Sequence, residues 1–322
     1  MFHVIALGEL LIDFTPVQLG NQKLVFEQNP GGAPANVLAA VAKLGKSAAF
    51  LGMVGEDQFG RFLKNVLLDN NIDVTGLKFS DTVHTTLAFV HIFNNGDRSF
   101  SFYRNPGADM MLRQSDIDYD MIRQSKVFHF GSISLTHEPV RGATLAACQF
   151  AKDHGLIISY DPNYRAPLWP SILQAKENIA LGLQFADILK ISEEELEIIT
   201  GTKDLASGAS IIFQQGVKVV LITLGAQGCY YKYAGGEGSI TSFAVHAIDT
   251  TGAGDAFLGA FLYQTSEMRI DDICSLQNEE FAALIRFSNA AGALTTTKTG
   301  AIPALPSLDQ INELRQQFVI KK

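Results

Sequence analysis

Short runs of aliphatic and β-branched residues alternate along the chain with longer stretches whose apolar positions recur at helical spacing. The short runs predict strands over Val4–Leu7, Ala48–Val54, Val127–Phe130, Leu156–Tyr160, Ile188–Ile191 and Val217–Thr223. The longer stretches predict helices over Ala35–Leu44, Phe59–Leu68, Val140–Lys152, Ile172–Leu183, Glu193–Thr200, Leu205–Gln214, Gly254–Tyr263 and Glu279–Thr295. This alternation is typical of a parallel sheet that helices cover on both faces. Strands so rich in Val, Ile and Leu fit burial on both sides. We therefore predict a doubly wound, mostly parallel α/β fold.

Two segments, at about 11–30 and 84–105, interrupt that alternation because they read as extended chain without a helix between the strands. The second contains a hairpin signal, in which Thr85–Phe93 and Arg98–Tyr103 flank the turn Asn94-Asn95-Gly96-Asp97. We expect these segments to form a small β-sheet lid over the carboxyl ends of the main strands, where such folds bind ligands. No repeat or linker divides the chain. The prediction is one domain over residues 1–322 with the lid strands inserted.

The composition narrows the class of protein. Of 322 residues, 47% are hydrophobic and 18% charged, which provides apolar surface for a continuous core. The net charge of −8 argues against a nucleic-acid partner, whose phosphates require a basic face. No apolar run reaches the roughly 20 residues of a membrane span. The cysteines, Cys148, Cys229 and Cys274, are too few and too scattered for a disulfide framework or a zinc site. We expect a cytoplasmic protein without nucleic-acid or membrane partners.

The segment DTTGAGDAF at residues 249–257 carries the strongest chemical signal. Gly252, Ala253 and Gly254 can expose successive backbone N–H groups just before a helix, and Asp255 falls in its first turn. A helix N-terminus attracts anions because its first N–H groups lack partners and its dipole adds about half a positive charge. Asp255 is then placed to accept a proton from an attacking hydroxyl. The structural alternative is that Asp255 only caps the helix.

Together with GGAPANVLAAVAKLG at residues 31–45, this segment resembles the two signatures of the PfkB family of carbohydrate kinases, whose fold is ribokinase-like. The two lie in the order and approximate spacing that the family shows, and the resemblance covers essentially the whole chain. It implies a β-sheet lid over the sugar, ATP and Mg²⁺ as cofactors, and Asp255 as the catalytic base.

The first signature also provides groups suited to a sugar. Gly31 and Gly32 let a ligand approach the backbone, and Asn36 can both donate and accept hydrogen bonds. Asp13 matches the family's acidic sugar-binding residue after the first strand. Taken alone, these residues would pass as a helix start and a solvated strand end. The resemblance implies that they bind the substrate.

Two further segments resemble those of the fructokinase subgroup. FYRNPGAD at residues 102–109 contains Arg104, and DPNYRAPLWP at 161–170 contains Asn163 and Arg165. Guanidinium groups offer fixed pairs of donors suited to phosphates or hydroxyls. A surface salt bridge is the alternative for either arginine. The resemblance implies that Arg104, Asn163 and Arg165 bind the substrate.

Nucleotide and metal contacts follow from the same resemblance. KISEEE at residues 190–195 resembles the subgroup's K-x-S-x-x-E segment, in which Glu195 organises Mg²⁺ through water. Ser192 replaces the Asn of the wider family. The residues implied in nucleotide binding are Lys190, Ser192, Thr223, Gly225, Gly228 and Asn289. Asp249 and Thr251, with residues 298–301, resemble the loops that bind a monovalent cation, so K⁺ is a candidate ion.

The resemblance thus implies an ATP-dependent fructokinase that phosphorylates a primary hydroxyl of fructose, with fructose 6-phosphate as the expected product. A kinase for aminoimidazole riboside, ribose or 2-keto-3-deoxygluconate is the alternative within the family. A non-catalytic sugar-responsive regulator is the alternative from another class, although such a binder has no need of a base at Asp255. The apolar stretch Thr86–Phe93 suits a homodimer formed through the lid, and core packing explains it equally well.

Overall fold

The computed structural model describes residues 1–19, 23–92 and 98–320. The strands are β1 (Phe2–Leu7), β2 (Leu11–Leu19), β3 (Lys23–Gly31), β4 (Ala48–Gly55), β5 (Ile72–Asp73), β6 (Leu77–Ser80), β7 (Leu87–Ile92), β8 (Arg98–Tyr103), β9 (Ser125–Gly131), β10 (Ile157–Asp161), β11 (Ile188–Ser192), β12 (Val219–Thr223), β13 (Cys229–Tyr233) and β14 (Gly236–Ile240). The predicted hairpin turn at residues 94–97 lies outside the described residues, as does Phe93.

The helices are α1 (Ala33–Lys43), α2 (Gln58–Asp69), α3 (Tyr119–Arg123), α4 (Val140–Asp153), α5 (Ile172–Leu183), α6 (Glu193–Thr200), α7 (Leu205–Gln214), α8 (Ala253–Thr265), α9 (Ile270–Cys274), α10 (Asn278–Thr295) and α11 (Leu308–Ile320). Every predicted strand of the main sheet and every predicted helix is present, with ends that differ by about two residues at most. The sequence prediction missed β13 and β14, the short pieces β5, β6, α3 and α9, and the terminal helix α11.

Ten strands form the main sheet in the order β14–β13–β12–β11–β10–β9–β1–β4–β5, with β6 also paired to β4. All neighbours are parallel except at one edge, where β13 and β14 continue as an antiparallel hairpin from β12. Helices cover both faces. The predicted class, a doubly wound and mostly parallel sheet with a separate small sheet, is confirmed.

Strand β1 shows why the apolar runs are continuous. Val4 and Ala6 pack on one side of the sheet with α1 and α8, while Ile5 and Leu7 pack on the other side with α4 and α5. All four side chains are fully buried. Because successive side chains of a strand point to opposite faces, a strand covered on both faces needs apolar residues at every position.

The lid is a four-stranded sheet in the order β3–β2–β7–β8. Strands β2 and β3 form an antiparallel pair, β7 and β8 form another, and β2 and β7 join the two pairs in parallel. All four strands fall within the segments that the sequence marked as extended chain. The division of the chain into one domain stays a prediction.

The order of strands changes direction at β1, which lies between β4 and β9. In open α/β sheets a ligand crevice forms outside the carboxyl ends of the strands at such a point. The loops that leave β1, β9, β10 and β11 at this edge supply the walls of the site described next.

Candidate active site

A cavity of 420 Å³ opens at the carboxyl edge of the main sheet, beneath the lid. Its size is in the usual range for small-molecule sites. Its walls come from the lid, from the loops that follow the central strands and from the starts of α1, α6 and α8. The lining residues are Glu9, Leu11, Asp13, Gly32, Ala33, Asn36, Phe102, Ile133, Asn163, Tyr164, Arg165, Lys190, Ser192, Glu194, Glu195, Thr250, Thr251, Gly252, Gly254 and Asp255.

Asp255 lies in the first turn of α8 and lines the cavity, with 7% of its surface exposed. The side-chain amide of Asn36 donates to Asp255 Oδ2 over 2.8 Å, which joins the starts of α1 and α8. Burial raises the pKa of Asp255 to about 6, and the nearby Asp161 carboxylate adds to the rise, while Lys190 and the Asn36 hydrogen bond oppose it. At neutral pH the carboxylate is therefore mostly ionised and close to the pKa suited to a general base.

The start of α8 is built to leave backbone amides available. Gly252 precedes the helix at φ 75°, a conformation that favours glycine, and it offers no side-chain cap. A Cβ at Gly252 would also lie 2.5 Å from Ala301 Cβ. Ala253 N–H donates to the Thr250 carbonyl at 3.3 Å, which closes the turn. The next amides belong to a first helical turn, which has no intrahelical acceptors, so an anion can bind there.

A buried ion pair lies beside this helix start. Lys190 Nζ is 2.9 Å from Asp161 Oδ2, and both side chains are almost fully buried. Burial lowers the pKa of Lys190, but the charges of Asp161, Glu195 and Asp255 outweigh that effect and raise it. A Cβ at Gly254 would lie 2.8 Å from Lys190 Nζ, so glycine leaves room for the ammonium group against the helix start. Lys190 is thus a fixed positive charge next to the anion-binding amides.

Asp13, on the lid strand β2, faces the same cavity as Asp255. Burial raises its pKa to about 6, the positive charge of Arg165 lowers it, and the Asp255 carboxylate raises it. Gly31 does not line the cavity itself, and a Cβ there would collide with the Asp13 carboxylate. The absence of a side chain at Gly31 therefore leaves the space that the Asp13 carboxylate occupies.

Asn163 and Arg165 follow β10 and reach the cavity from the other side. Asn163 is held at φ 46°, and its N–H donates to Asp161 Oδ1 over 3.1 Å. Arg165 is exposed and donates to its neighbour's carbonyl at 3.2 Å. Its positive charge lowers the pKa of both Asp13 and Asp255, so it acts on the two carboxylates of the cavity.

Ser192 and Glu195 form a reciprocal capping box at the start of α6. Ser192 Oγ accepts from Glu195 N–H at 3.2 Å, and Glu195 Oε2 accepts from Ser192 N–H at 2.7 Å. Glu195 Oε1 accepts from Tyr164 N–H at 2.7 Å. The segment S-x-x-E is a known signature of this cap. Each carboxylate oxygen keeps a further lone pair that a water molecule can use.

The remaining residues that the sequence connects with the nucleotide lie outside the cavity's lining. Thr223, at the end of β12, donates through Oγ1 to the Ile191 carbonyl at 3.2 Å. Gly225 and Gly228 have φ values of 56° and 104° in the turn that follows. Asn289, on α10, donates to the Ile240 carbonyl at 2.9 Å. Thr223 ends β12, the strand next to the one that carries Lys190, and Gly225 and Gly228 lie in the turn after it. Asn289 instead bonds to the end of β14, so the structure does not bring all of these residues into one cavity.

Asp249 is buried and ties together the two loops that the resemblance connects with a monovalent cation. Its Oδ1 accepts from the N–H and the hydroxyl of Thr251, at 2.9 and 2.7 Å. Its Oδ2 accepts from Gly300 N–H at 3.0 Å. The carboxylate thus fixes the turn immediately before α8.

Arg104 lies behind the cavity wall rather than in its lining. Its Nε donates to Asp109 Oδ2 at 2.7 Å, its Nη1 to Thr136 Oγ1 at 2.9 Å and its Nη2 to the Ile133 carbonyl at 3.2 Å. The side chain is 3% exposed. The predicted direct contact with sugar does not follow from this placement; Phe102, from the same segment, lines the cavity instead.

The sequence prediction also missed residues of the site. Asp161 is the partner of Lys190, and Glu9 lines the cavity with only 3% of its surface exposed. Asp161 could have been predicted from the sequence. It is an acidic residue at the carboxyl end of a buried strand, and open α/β sheets bind their ligands at that end. For Glu9 the signal was weaker, because a Glu in a loop is usually solvated.

Within the described ranges, no cluster of three or more His, Cys, Asp or Glu side chains has the arrangement of a metal site. None of the helices described is both long and apolar enough to cross a membrane.

Known proteins resemble this chain over nearly its whole length. Residues 1–308 match the model of the pfkB family carbohydrate kinases. Fructokinase-1 of Zea mays is 45% identical over 316 residues, which cover 97% of each chain. A crystal structure of fructokinase with bound ATP from Xylella fastidiosa superposes with a TM-score of 0.92 at 33% identity and covers 99% of this chain and 100% of its own.

A double mutant of fructokinase from Vibrio cholerae, in a form with bound fructose, ADP and potassium ion, superposes with a TM-score of 0.85 at 34% identity and covers 97% of both chains. The family match spans far more than half of the sequence and includes both glycine-rich helix starts at the cavity. This chain belongs to the pfkB family of carbohydrate kinases.

Proposed function

We propose that this protein is an ATP-dependent fructokinase, which transfers the γ-phosphoryl group of ATP to a primary hydroxyl of fructose. The observation that carries the proposal is the position of Asp255, a buried carboxylate at the open N-terminus of α8 in a cavity lined by sugar-compatible groups. The 45% identity to a fructokinase supports fructose as the sugar.

The geometry supports a direct transfer. Fructose binds under the lid against Asp13, Gly32 and Asn36, with a primary hydroxyl at Asp255. The hydroxyl oxygen attacks the γ-phosphorus, its proton passes to Asp255, and the bond from the γ-phosphorus to the bridging oxygen breaks to release ADP. Positioning and charge stabilisation supply most of the rate in such reactions. The first amides of α8 and the Lys190 ammonium supply that stabilisation here.

The enzyme uses a nucleotide with a divalent metal, and we assign Mg²⁺ to that role. Mg²⁺ is usually held by one or two carboxylates, substrate phosphates and water, so a dedicated protein cage is not required. Glu195 fits this arrangement because it lines the cavity and its oxygens retain lone pairs for metal-bound water. When bound, the ion neutralises charge on the phosphates.

A monovalent cation, with K⁺ as the candidate, is proposed for the loops around Asp249 and Thr251. Both oxygens of Asp249 already accept backbone or hydroxyl hydrogen bonds. Backbone carbonyls would therefore supply most of the ligands. An ion there would order the turn that leads into α8, and the assay that checks this compares turnover in K⁺ and in a bulky organic cation at equal ionic strength.

The acceptor sugar is tested by measuring ADP release with fructose, aminoimidazole riboside, ribose and 2-keto-3-deoxygluconate. We expect the highest kcat/KM with fructose, and ³¹P NMR should identify fructose 6-phosphate. A higher kcat/KM with another sugar would reassign the acceptor within the family. Sugar binding without ADP release from any of them would instead indicate a regulator.

A homodimer through the lid and a cytoplasmic location are further parts of the proposal. Phe14, Phe26, Phe89 and Tyr103 form a connected aromatic cluster on the lid, and Phe26 and Tyr103 are exposed. Exposed apolar patches of this kind often mark interfaces. Light scattering should give about twice the mass of one chain, and Tyr103→Lys should reduce it to that of one chain.

A further inference from the structure

Helix α1 begins without a cap of its own. Its N-cap residue is Gly32, which has no side chain, and its first turn contains no acidic residue. The missing group comes from the loop after β1, where Glu9 Oε1 accepts the N–H of Ala33 at 2.9 Å. A carboxylate at a helix N-terminus both accepts an unpaired amide and complements the helix dipole.

Backbone packing fixes Glu9 against this helix start. Gly32 has φ 121°, and a Cβ there would collide with the Glu9 carbonyl. A Cβ at Gly8 would lie 2.5 Å from Pro34 Cγ. Gly32 therefore packs against the backbone of the loop that carries Glu9, and Gly8 packs against the Pro34 ring of α1. These contacts set the distance at which the Glu9 carboxylate meets Ala33.

The helix start that Glu9 holds carries the sugar-side groups of the cavity. Gly32 and Asn36 both line it, and Asn36 donates to Asp255 across the cavity wall. Asn36 Oδ1 is buried without a hydrogen-bond partner among the described residues, and so is Glu9 Oε2. A buried acceptor without a hydrogen-bond partner lowers the stability of the fold, so such groups are usually retained where function requires them.

The charges of the buried ion pair between Arg104 and Asp109 also act on Glu9. Burial raises the pKa of Glu9 to about 7, the backbone N–H groups of Glu9 and Ala33 lower it, Asp109 raises it and Arg104 lowers it. Asp109 in turn accepts the hydroxyl of Thr86 at 2.5 Å, immediately before lid strand β7. Glu9 itself lies two residues before lid strand β2 and is hydrogen-bonded to the first residue of α1, so it connects the base of the lid to that helix start.

We propose that Glu9 is a positioning residue for the sugar, because its carboxylate holds Ala33 and thereby fixes Gly32 and Asn36 in the cavity. The inference deepens the proposed function and rests on it. Turnover of fructose by the unmodified enzyme tests that function separately, so a failure of either claim can be told from a failure of the other.

The test compares Glu9→Gln, Glu9→Asp and Glu9→Ala in steady-state kinetics with fructose and ATP. Glu9→Gln keeps an oxygen that can accept Ala33 N–H, whereas Glu9→Asp is one methylene too short and Glu9→Ala has no acceptor. We expect the last two to raise KM for fructose by about 3- to 30-fold, the range that follows from a lost N-cap. KM for ATP should change less than about twofold, and Glu9→Gln should stay within about threefold of the unmodified enzyme in both constants.

Asp204→Ala is the matched control, since Asp204 caps α7 by accepting Ser207 N–H at 2.8 Å and does not line the cavity. It should lower thermal stability without raising KM for fructose. If Glu9→Ala does not fold, Glu9→Asp decides the test. Unchanged KM for fructose in the short variants, an equal rise in KM for ATP, or a Glu9→Gln variant as impaired as Glu9→Asp would overturn the proposal.

Discussion

Helices α6 and α8 both begin at the wall of the same cavity, and their first turns are built in opposite ways. At α6, Ser192 and Glu195 satisfy each other's backbone amides in a capping box. At α8, Gly252 provides no side chain, and the helix continues directly into Gly254 and Asp255. The start of α8 therefore leaves its first amides open to an anion, whereas α6 uses its own side chains to satisfy the equivalent groups.

The largest expected effect concerns the carboxylate at the open helix start. Asp255→Asn should lower kcat by about 10²- to 10⁴-fold, because general-base assistance is worth that much. Fructose affinity measured by calorimetry should change only a few-fold, since Asn retains an oxygen that can accept from Asn36. A variant with near-normal turnover would remove Asp255 from the role of base.

The next effect concerns the charge beside α8. Lys190→Met should destabilise the protein by about 3–5 kcal/mol, because it leaves the Asp161 carboxylate buried without its partner. Urea denaturation measures this loss. The double variant with Asp161→Asn is the control, and it should recover a large part of the stability but not the turnover. Equal losses in the single and double variants would contradict the pairing.

A change at the capped start of α6 should affect stability more than turnover, unlike a change at the uncapped start of α8. Ser192→Ala should cost about 1 kcal/mol of unfolding free energy, the usual value of an N-cap, with a change in kcat below about threefold. Ser171→Ala at the start of α5 is the matched control, because Ser171 accepts from Gln174 N–H at the same distance of 3.2 Å. A loss of kcat in Ser192→Ala far beyond that of Ser171→Ala would give the hydroxyl a direct catalytic role.

The smallest effect is a shift in pH dependence. Asp255 must be ionised to act as a base, so kcat/KM, which reports the free enzyme, should fall as the pH drops through about 6, the pKa of Asp255. Asp161 raises that pKa, and removing its charge in Asp161→Asn should move the acid limb to lower pH. Asp187→Asn is the control, since Asp187 accepts from Ile158 N–H at the other end of β10. An acid limb that moves to higher pH, or moves equally in both variants, would exclude the coupling.

The sequence predicted the main sheet and its helices well because their signal is local. Strands buried on both faces must be apolar at every position, as Val4–Leu7 is. The hairpin of β13 and β14 was missed even though Gly235 and Gly236 follow an aromatic run, which is a hairpin signal. Strand β14 contains polar residues because it lies at the edge of the sheet, so it lacks the continuous apolar run by which the buried strands were predicted.

Within the site, the predictable part was the anion-binding turn, because DTTGAGDAF carries its glycines, helix and carboxylate in one segment. The unpredictable part depends on contacts between distant residues. Lys190 meets Asp161 across 29 positions of sequence, and Glu9 meets Ala33 across 24. Arg104 also depends on contacts that the sequence does not reveal. The resemblance of its segment implied a contact with the sugar, but its guanidinium group donates its hydrogen bonds to Asp109, Thr136 and Ile133 inside the protein.

The most direct test of the account is a crystal structure of the protein with fructose and a non-hydrolysable ATP analogue. We predict a primary hydroxyl oxygen of fructose within 2.6–3.2 Å of an Asp255 carboxylate oxygen, the distance that a general base requires. We also predict the γ-phosphate at the first amides of α8, beside Lys190. A fructose whose primary hydroxyls lie away from Asp255, or a γ-phosphate bound away from that helix start, would contradict the account.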